Sequence, residues 1–182
     1  MTPFELIKSD LSRQTGRYSN NLLIKNLLNN NRSFKYTFWL RLTSSSNSIL
    51  KLFARYMHTH LSIKYQIQIP KEAKIGAGLY LGHATGIVIS PSVEIGINCN
   101  ISQFVNIGSN HGKAAYIGNN VYIGPMVCIV ENIVIGNNVT IGAGAGAVVV
   151  KDIPENSTAV GNPSRVVNQN DPGRYIINKY YE

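Results

Sequence analysis

Residues 117–146 read IGNNVY IGPMVC IVENIV IGNNVT IGAGAG, and this run decides the fold. An isoleucine leads each of its five hexads, and glycine follows that isoleucine in four of them. A second apolar residue stands four positions after each of the first four isoleucines. Six residues is too long for an α-helical period and too regular for a series of hairpins, but it suits a short strand followed by a tight turn. Hexapeptide repeats of this kind are typical of a parallel β-helix.

The same period extends towards the N-terminus, with interruptions. Repeats begin at Ile75 and continue to Ile107. The repeat slips by two residues near residue 82, four extra residues precede Ile117, and two extra residues follow Ile141. We therefore predict a mainly β protein, a parallel β-helix of about five coils over residues 66–167, in which the four-residue insertion forms a projecting loop.

The positive charge of the chain is confined to its first part. The net charge is +8; residues 1–65 hold ten Lys or Arg and two acids, which accounts for the whole excess. A basic segment of this kind suits an anionic partner, either a membrane surface or an acidic polymer, and a solvated helical surface explains it equally. Because no nucleic-acid-binding motif accompanies the charge, we expect no nucleic acid partner.

Other features indicate a cytoplasmic protein. The first residues include acids and lack the apolar core of a signal peptide, and no segment has the length and apolarity of a membrane span. Cys99 and Cys128 lack metal-ligand spacing, and we expect both to be small packed side chains with no disulfide and no bound metal. We expect a cytoplasmic location, with the inner face of the membrane as the place where the basic segment would act.

The first 65 residues have helical spacing. Four segments alternate with breaks rich in Asn and Ser, and in the fourth an apolar stripe shares one face, formed by Ile49, Leu52, Phe53, Tyr56 and Met57. Packing on the rest of the protein and contact with a bilayer would both account for this stripe. We predict a basic α-helical segment over residues 1–65, the β-helix over residues 66–167 and a C-terminal tail over residues 168–182.

A histidine supplies the chemistry that the residues themselves indicate. His83 stands in LGHATG, two residues after a lead leucine and among small residues. Histidine can deprotonate a hydroxyl near neutral pH, and backbone N–H groups at glycine-rich corners can stabilise an oxyanion. The alternative is a corner histidine that is hydrogen-bonded to its own backbone. His58 and His60, in the fourth helix, are expected to have surface or packing roles.

Motifs across residues 66–167 resemble the serine acetyltransferase family. In chain order they are IPKEAKIGAGLYLGHATGIVIS, SQFVNIG, IGNNVYIGP, IGAGA, VVVKDIP and VGNPSRVV. The resemblance implies a left-handed β-helix, acetyl-CoA as co-substrate without a metal, and a homotrimer with its sites at subunit interfaces. It covers more than half of the chain, whereas the helical segment resembles the family's helical domain only loosely and is shorter.

The resemblance also implies roles for single residues. His83 matches the catalytic base of the family's HATG motif, and Ser109 matches the residue whose backbone N–H faces the acetyl carbonyl. Pro125 and Ala143 fall at the small corner residues along the pantetheine arm, and Lys151 falls where it can meet the phosphate end of the cofactor. Transfer would be direct: the histidine takes the proton of an acceptor hydroxyl as the hydroxyl attacks the thioester.

Several positions depart from the family's pattern, and they concern substrate binding. Gln68 stands where the family has the aspartate that orients the histidine, and Gly82 replaces an acidic residue used in serine binding. The Arg-His pair that binds the serine carboxylate is missing; Lys113 can replace one charge but not the bidentate geometry of arginine. His111, on the inserted loop, is either a contact to acceptor or cofactor or a solvated residue.

These departures favour a sugar acceptor. We predict an acetyl-CoA-dependent O-acetyltransferase that acts on a sugar hydroxyl of a surface polysaccharide, capsular or O-antigen, or of its precursor. The basic segment would meet the polymer or the membrane. Serine O-acetyltransferase in cysteine biosynthesis is the alternative, because the motifs match. A non-catalytic β-helix with a structural or binding role is a third hypothesis, and the uncharged Gln68 gives it weight.

Overall fold

The computed structural model describes residues 1–142, 146–170 and 173–181. The chain begins with four α-helices, and the helical N-terminal segment expected from the sequence is confirmed. Each helix starts with a side chain that accepts a hydrogen bond from an N–H of the first turn, which satisfies a donor that the helix itself leaves free. The helices are α1 (Pro3–Thr15), α2 (Asn20–Leu28), α3 (Arg32–Leu42) and α4 (Ser48–Tyr65).

A parallel β-helix follows, built from short strands on three faces. Face 1 contains β1, β4, β7 and β10; face 2 contains β2, β5, β8, β11 and β13, with β14 added antiparallel; face 3 contains β3, β6, β9 and β12. The strands in the described residues are β1 (Lys74–Ile75), β2 (Tyr80–Leu81), β3 (Val88–Ile89), β4 (Glu94–Ile95), β5 (Asn100–Ile101), β6 (Asn106–Ile107), β7 (Tyr116–Ile117), β8 (Tyr122–Ile123), β9 (Cys128–Ile129), β10 (Val134–Ile135), β11 (Thr140–Ile141), β12 (Val148–Val149), β13 (Thr158–Val160) and β14 (Arg165–Asn168).

The register of the strands gives the length of each coil and locates the interruptions. Val88 pairs with the residue eighteen positions later, which is one clean coil of three hexads. Leu81 and Ile129 pair with residues twenty positions later, and Ile95 pairs with one twenty-two positions later. The insertions of two, four and two residues therefore lie where the sequence indicates. Faces 1 and 3 have four strands each and face 2 has five parallel strands, so the stack has between four and five turns and the β-helix that we predicted is confirmed.

The interior is a single column of apolar side chains, as the repeat predicts. Ile117, Val121 and Ile123 are fully buried, and their counterparts in the other coils form the same core. Asparagines with positive φ occupy many of the corners, a conformation that Asn adopts more readily than most residues. Glycine is required at Gly86, where φ is +65° and a Cβ would overlap the Phe104 ring.

One cysteine is placed differently from our prediction. Both thiols are free, and Cys99 is buried, which raises its pKa to about 12. Cys128 is exposed, so its prediction as a packed side chain is wrong. It stands between Val127 and Ile129, which both point inwards, and successive residues of a strand point to opposite sides.

A buried ion pair joins the helical segment to the first coil. Arg41 of α3 donates from Nε and Nη2 to the carboxylate of Asp10 in α1, at 2.9 and 3.1 Å. Arg41 also donates to the carbonyls of Ile75 and Gly76, and Asp10 accepts from the N–H of Leu79 at 2.8 Å. Burial raises the pKa of Asp10, an effect that the Arg41 guanidinium opposes. Helices α1 and α3 are thereby fixed against the end of the β-helix.

Most of the apolar stripe of α4 is exposed in the part of the chain that the structure describes. Ile49, Leu52 and Tyr56 are 83, 72 and 67% exposed, and Phe53 only touches Trp39 with a ring edge. In the part of the chain that the structure describes, α4 and the other helices are too short or too polar to cross a bilayer.

Residues 173–181 of the C-terminal tail run back along face 2 towards the helices. Tyr175 packs on Tyr122 with ring centroids 4.9 Å apart, and its carbonyl accepts from the Asn100 side chain at 3.2 Å. Further along, the backbone of Tyr180 exchanges two hydrogen bonds with the side chain of Asn98, at 2.9 and 2.8 Å. The tail therefore covers the outer side of face 2 over several coils.

Candidate functional site

His83 lies in the two-residue insertion, on the turn that leads from β2 on face 2 to β3 on face 3. Its side chain is exposed, and both His83 and the following Ala84 have positive φ, 57° and 35°. Such values are unfavourable for residues with a Cβ, and strained backbone of this kind often occurs at functional sites. The turn is held by the next coil, since the N–H of Gly82 donates to the carbonyl of Ile101 at 2.7 Å.

A groove of about 530 Å³ opens beside His83, between the helical segment and the β-helix. We call it the His83 groove. A volume of this size is in the range of small-molecule sites. Its lining carries no acidic residue and includes Gln14 from α1, Asn31, Arg32 and Ser33 from the start of α3, and Tyr80 from β2.

Amide and hydroxyl side chains form a connected wall of this groove. Asn31 donates to Gln14 Oε1 at 2.9 Å and to Asn26 Oδ1 at 2.7 Å. Gln14 in turn donates to Ser33 Oγ at 3.2 Å, and the N–H of Leu81 donates to the same oxygen at 3.2 Å. The network joins α1, α2, α3 and β2, so the polar wall is positioned before any ligand arrives.

Arg32 brings a positive charge to the His83 groove. It is the first residue of α3, whose first turn contains no acid, and its guanidinium lies over the Tyr65 ring at 5.7 Å. In the described residues Arg32 is not within ion-pair distance of a carboxylate. The N-terminal end of a helix is already positive, so the two charges together favour a bound anion.

A second groove, of about 510 Å³, lies along the edge between face 3 and face 1. Ser109 lines it, together with the exposed Cys128. The inserted loop beside it is held against the next coil, because Glu131 Oε2 accepts the N–H groups of Asn110 and His111, at 2.5 and 3.0 Å. These two donors lower the pKa of Glu131. The inserted loop is thus anchored to the next coil.

The structure distributes the predicted site residues over two edges of face 3. The edge between faces 2 and 3 carries Gly82, His83 and Pro125, and the edge between faces 3 and 1 carries Ser109, His111, Lys113 and Lys151. Face 3 separates the two groups within one chain. Ala143 lies outside the described residues.

Gln68 lies on face 3 itself. Its backbone pairs with Val88 and its side chain is exposed. Among the described contacts there is no hydrogen bond between Gln68 and His83. The backbone does not require a glycine at position 82. A Cβ there would lie 3.4 Å from Ser102 Oγ, which is an ordinary contact, so the acidic residue that the family has at this position would fit.

Sequence reasoning missed the residues that the helical segment contributes. Gln14, Asn31 and Arg32 line the groove because α1 and α3 fold back onto β2, and the hexad pattern does not report that contact. One signal was present in the sequence: a basic residue directly after a capping Asn, with no acid in the turn that follows.

Comparison with known proteins identifies the repeat. The family described as "Bacterial transferase hexapeptide (six repeats)" matches residues 114–146. The chain is 40% identical over 125 residues to mitochondrial serine acetyltransferase 3 of Arabidopsis thaliana, a match that covers 66% of this chain and 32% of that protein. The chain spans between 32 and 56% of the lengths of the first curated relatives that it matches.

Two solved structures extend the similarity to the helical segment. Soybean serine acetyltransferase complexed with serine has a TM-score of 0.72 and 30% identity, with 91% of this chain and 70% of that chain covered. Serine acetyltransferase from Brucella abortus in complex with coenzyme A has a TM-score of 0.71 and 28% identity, with 90 and 66% covered.

The relatives are serine acetyltransferases, which contradicts our prediction of a sugar acceptor and favours serine, the alternative. The sugar hypothesis rested on missing charged groups near the β-helix, such as the acid absent at Gly82. The His83 groove does contain a positive charge, and it comes from Arg32 in the helical segment. The His83 groove is also bounded by helices, which suits a small acceptor better than a polymer.

Proposed function

The chain belongs to the hexapeptide-repeat acyltransferases of the left-handed β-helix fold, and from this premise we propose that it transfers the acetyl group of acetyl-CoA to the hydroxyl of serine. The observation that carries the proposal is the position of His83. This histidine is exposed on a strained turn and lines a small polar groove that also contains a guanidinium. The printed names of the relatives support the choice of serine.

In the proposed reaction His83 acts as general base. It accepts the proton of the serine hydroxyl as the oxygen attacks the thioester carbon, and the protonated imidazole can return that proton to the sulfur of the leaving CoA. A backbone N–H stabilises the developing oxyanion, a role that the resemblance gives to Ser109. The Gln68 side chain lacks the charge that would stabilise an imidazolium.

Arg32 is the residue that we propose for the serine carboxylate. Guanidinium groups bind carboxylates with two parallel hydrogen bonds, and such charge-assisted bonds are stronger than neutral ones. Arg32 would supply the positive charge of the Arg-His pair that is missing near Lys113. The amide oxygens of Asn26 and Gln14 lie in the same wall and suit an ammonium group.

A trimer would bring the two edges of face 3 together. His83 and Ser109 lie on opposite edges within one chain, so one copy would present its Ser109 edge to the His83 edge of the next, and cyclic closure would give three sites. We propose that acetyl-CoA lies in the groove between copies, along Pro125 and Ala143, with its phosphates towards Lys151.

Membrane contact by the basic N-terminal segment stays a prediction from the sequence. The exposure of Ile49, Leu52 and Tyr56 on α4 is compatible with it.

Acetyl transfer by the purified protein tests the proposed function. With acetyl-CoA and serine we expect O-acetylserine and free CoA, and His83→Ala should lower kcat by about 10²–10⁴-fold, the usual contribution of a general base. His60→Ala is the matched control, because His60 is an exposed histidine on α4. Transfer to oligosaccharides without transfer to serine would contradict the acceptor, and an unchanged rate in His83→Ala would contradict the base.

A second variant tests the acceptor contact. Arg32→Gln should raise KM for serine by about 10–100-fold and leave KM for acetyl-CoA unchanged, since a hydrogen bond to a charged group is lost. The wild-type preference for serine over serinamide, which lacks the carboxylate, should disappear in this variant. Arg55→Gln, at an exposed arginine of α4, is the control. A preference that survives Arg32→Gln would place the carboxylate elsewhere.

A further inference from the structure

A second, smaller cavity lies on the outer side of face 2, between α1 and the C-terminal tail. Its volume is about 260 Å³. It shares Gln14 and Tyr80 with the His83 groove, but most of its lining is its own. The other walls are Arg13 from α1, Asn100 and Tyr122 from face 2, and Tyr175 and Ile177 from the tail.

Arg13 lies at this cavity with an unused hydrogen-bond donor. The residue is only 3% exposed. Its Nε donates to the carbonyl of Gly78 at 3.2 Å, and its Nη2 donates to Asn100 Oδ1 at 2.5 Å. Its Nη1 is shielded from solvent and has no hydrogen-bond partner among the described atoms. A buried donor on a charged group is costly to leave unpaired, so this atom indicates a missing acceptor.

The buried charges around the cavity do not balance. In the described residues three charged side chains are buried: Asp10, Arg13 and Arg41. The Asp10 carboxylate is engaged by two nitrogens of Arg41 and by the N–H of Leu79. One positive charge therefore remains without its own carboxylate, and the cavity lining contains no acid that could supply one.

The rest of the cavity suits an organic group. The rings of Tyr122 and Tyr175 pack together with centroids 4.9 Å apart and present aromatic surface. A cavity of about 150 Å³ is already large enough to hold benzene. Asn100 is held in place from two sides, since its Oδ1 accepts from Arg13 and its Nδ2 donates to the carbonyl of Tyr175 at 3.2 Å.

We propose that this cavity binds a small organic carboxylate, with the carboxylate paired to the Arg13 guanidinium and the apolar part against Tyr122 and Tyr175. The ligand would supply the negative charge that the interface between α1 and face 2 lacks. Because Tyr175 belongs to the tail, an occupied cavity would also hold the tail on face 2. The site does not depend on the proposed acetyl transfer.

Binding of benzoate to the full chain, measured by titration calorimetry without acetyl-CoA, tests the proposal. Benzamide has the same shape without the charge, and inorganic phosphate has the charge without the ring. We expect benzoate to bind the wild-type protein about tenfold or more tightly than either probe. Arg13→Met should remove the preference for benzoate over benzamide, whereas Arg32→Gln, in the His83 groove, should retain it.

A second variant keeps Arg13 intact in case its replacement disturbs folding. Tyr175→Ala removes the aromatic wall at a residue that is 56% exposed, and it should weaken benzoate binding by about tenfold. The proposal is overturned if the wild type binds benzoate no better than benzamide, if phosphate binds equally well, or if Tyr175→Ala binds benzoate like the wild type. None of these results bears on serine acetylation, which is measured separately.

Discussion

Replacement of Asp10 by alanine tests how the helical segment is attached to the β-helix. The carboxylate of Asp10 is fully buried and accepts hydrogen bonds from Nε and Nη2 of Arg41 and from the N–H of Leu79. Removing it leaves the buried Arg41 guanidinium without its carboxylate and leaves a buried N–H unpaired. Both losses act on the folded state.

The expected cost is large for a single substitution. Removing one partner of a buried ion pair costs about 3–5 kcal/mol of unfolding free energy, because the other charge stays buried without compensation. For a chain of this length each kcal/mol shifts Tm by about 2–4 °C, so Asp10→Ala should lower Tm by about 6–20 °C. Glu94→Ala is the matched control: Glu94 pairs with Lys74 at 2.8 Å, but both side chains are at least half exposed, and such pairs contribute about 0–1 kcal/mol.

Urea unfolding followed by Trp39 fluorescence and by circular dichroism measures both variants. Trp39 is the only tryptophan of the chain and lies in α3, the helix that carries Arg41, so its emission reports the helical segment. If Asp10→Ala lost no more stability than Glu94→Ala, the buried pair would not be the attachment that the structure suggests.

Three further predictions concern single residues. Gly86→Ala should destabilise the protein by about 1–2 kcal/mol in urea unfolding, because an alanine is strained at positive φ, whereas Gly82→Ala in the same turn should be nearly neutral. The pKa of Glu131 is lowered in the folded chain, so its hydrogen bonds stabilise the inserted loop above the ordinary pKa of a glutamate and are lost as the pH falls through the folded pKa. Hydrogen exchange of the Asn110 and His111 amides should accelerate at that pH. In Glu131→Gln the exchange rates should lack this pH-dependent increase. In the native protein a thiol reagent should modify Cys128 and not Cys99, whose thiol is buried with a raised pKa.

Each of these three predictions has a result that would contradict it. Equal stability of the two glycine variants would mean that the turn relaxes around the added methyl group. A step in the exchange rates that persists in Glu131→Gln would assign the titration to another group. Modification of two thiols per native chain would place Cys99 within reach of solvent.

The β-helix could be predicted in detail because its constraints are local. Whether a residue such as Ile123 faces inwards depends only on its place in the hexad, so counting along the chain locates each strand and each insertion. The same alternation places the Cys128 side chain on the outside, because both of its neighbours point inwards. We predicted a packed side chain because cysteine is a small apolar residue, and not from the hexad pattern.

The helical segment was harder to predict because its contacts are distant in sequence. Arg13 meets Asn100 across 87 positions, and the Ser9 hydroxyl accepts from the N–H of Gly78 across 69. An amphipathic pattern shows which side of a helix is apolar but not what covers it. The stripe of α4, for instance, is exposed in this chain. Residues of the His83 groove such as Arg32 therefore became visible only in three dimensions.

The tail that runs back along face 2 changes how the stack of coils can come apart. In a plain solenoid each coil contacts only its neighbours, so unfolding can start at a free end and move inwards one coil at a time. Here the last residues reach the first helix, since the side chain of Asn178 donates to the carbonyl of Arg13 at 3.5 Å. The two ends of the stack are thus tied to each other, and loosening either one also disturbs the other, which makes a linear array behave as a single cooperative unit.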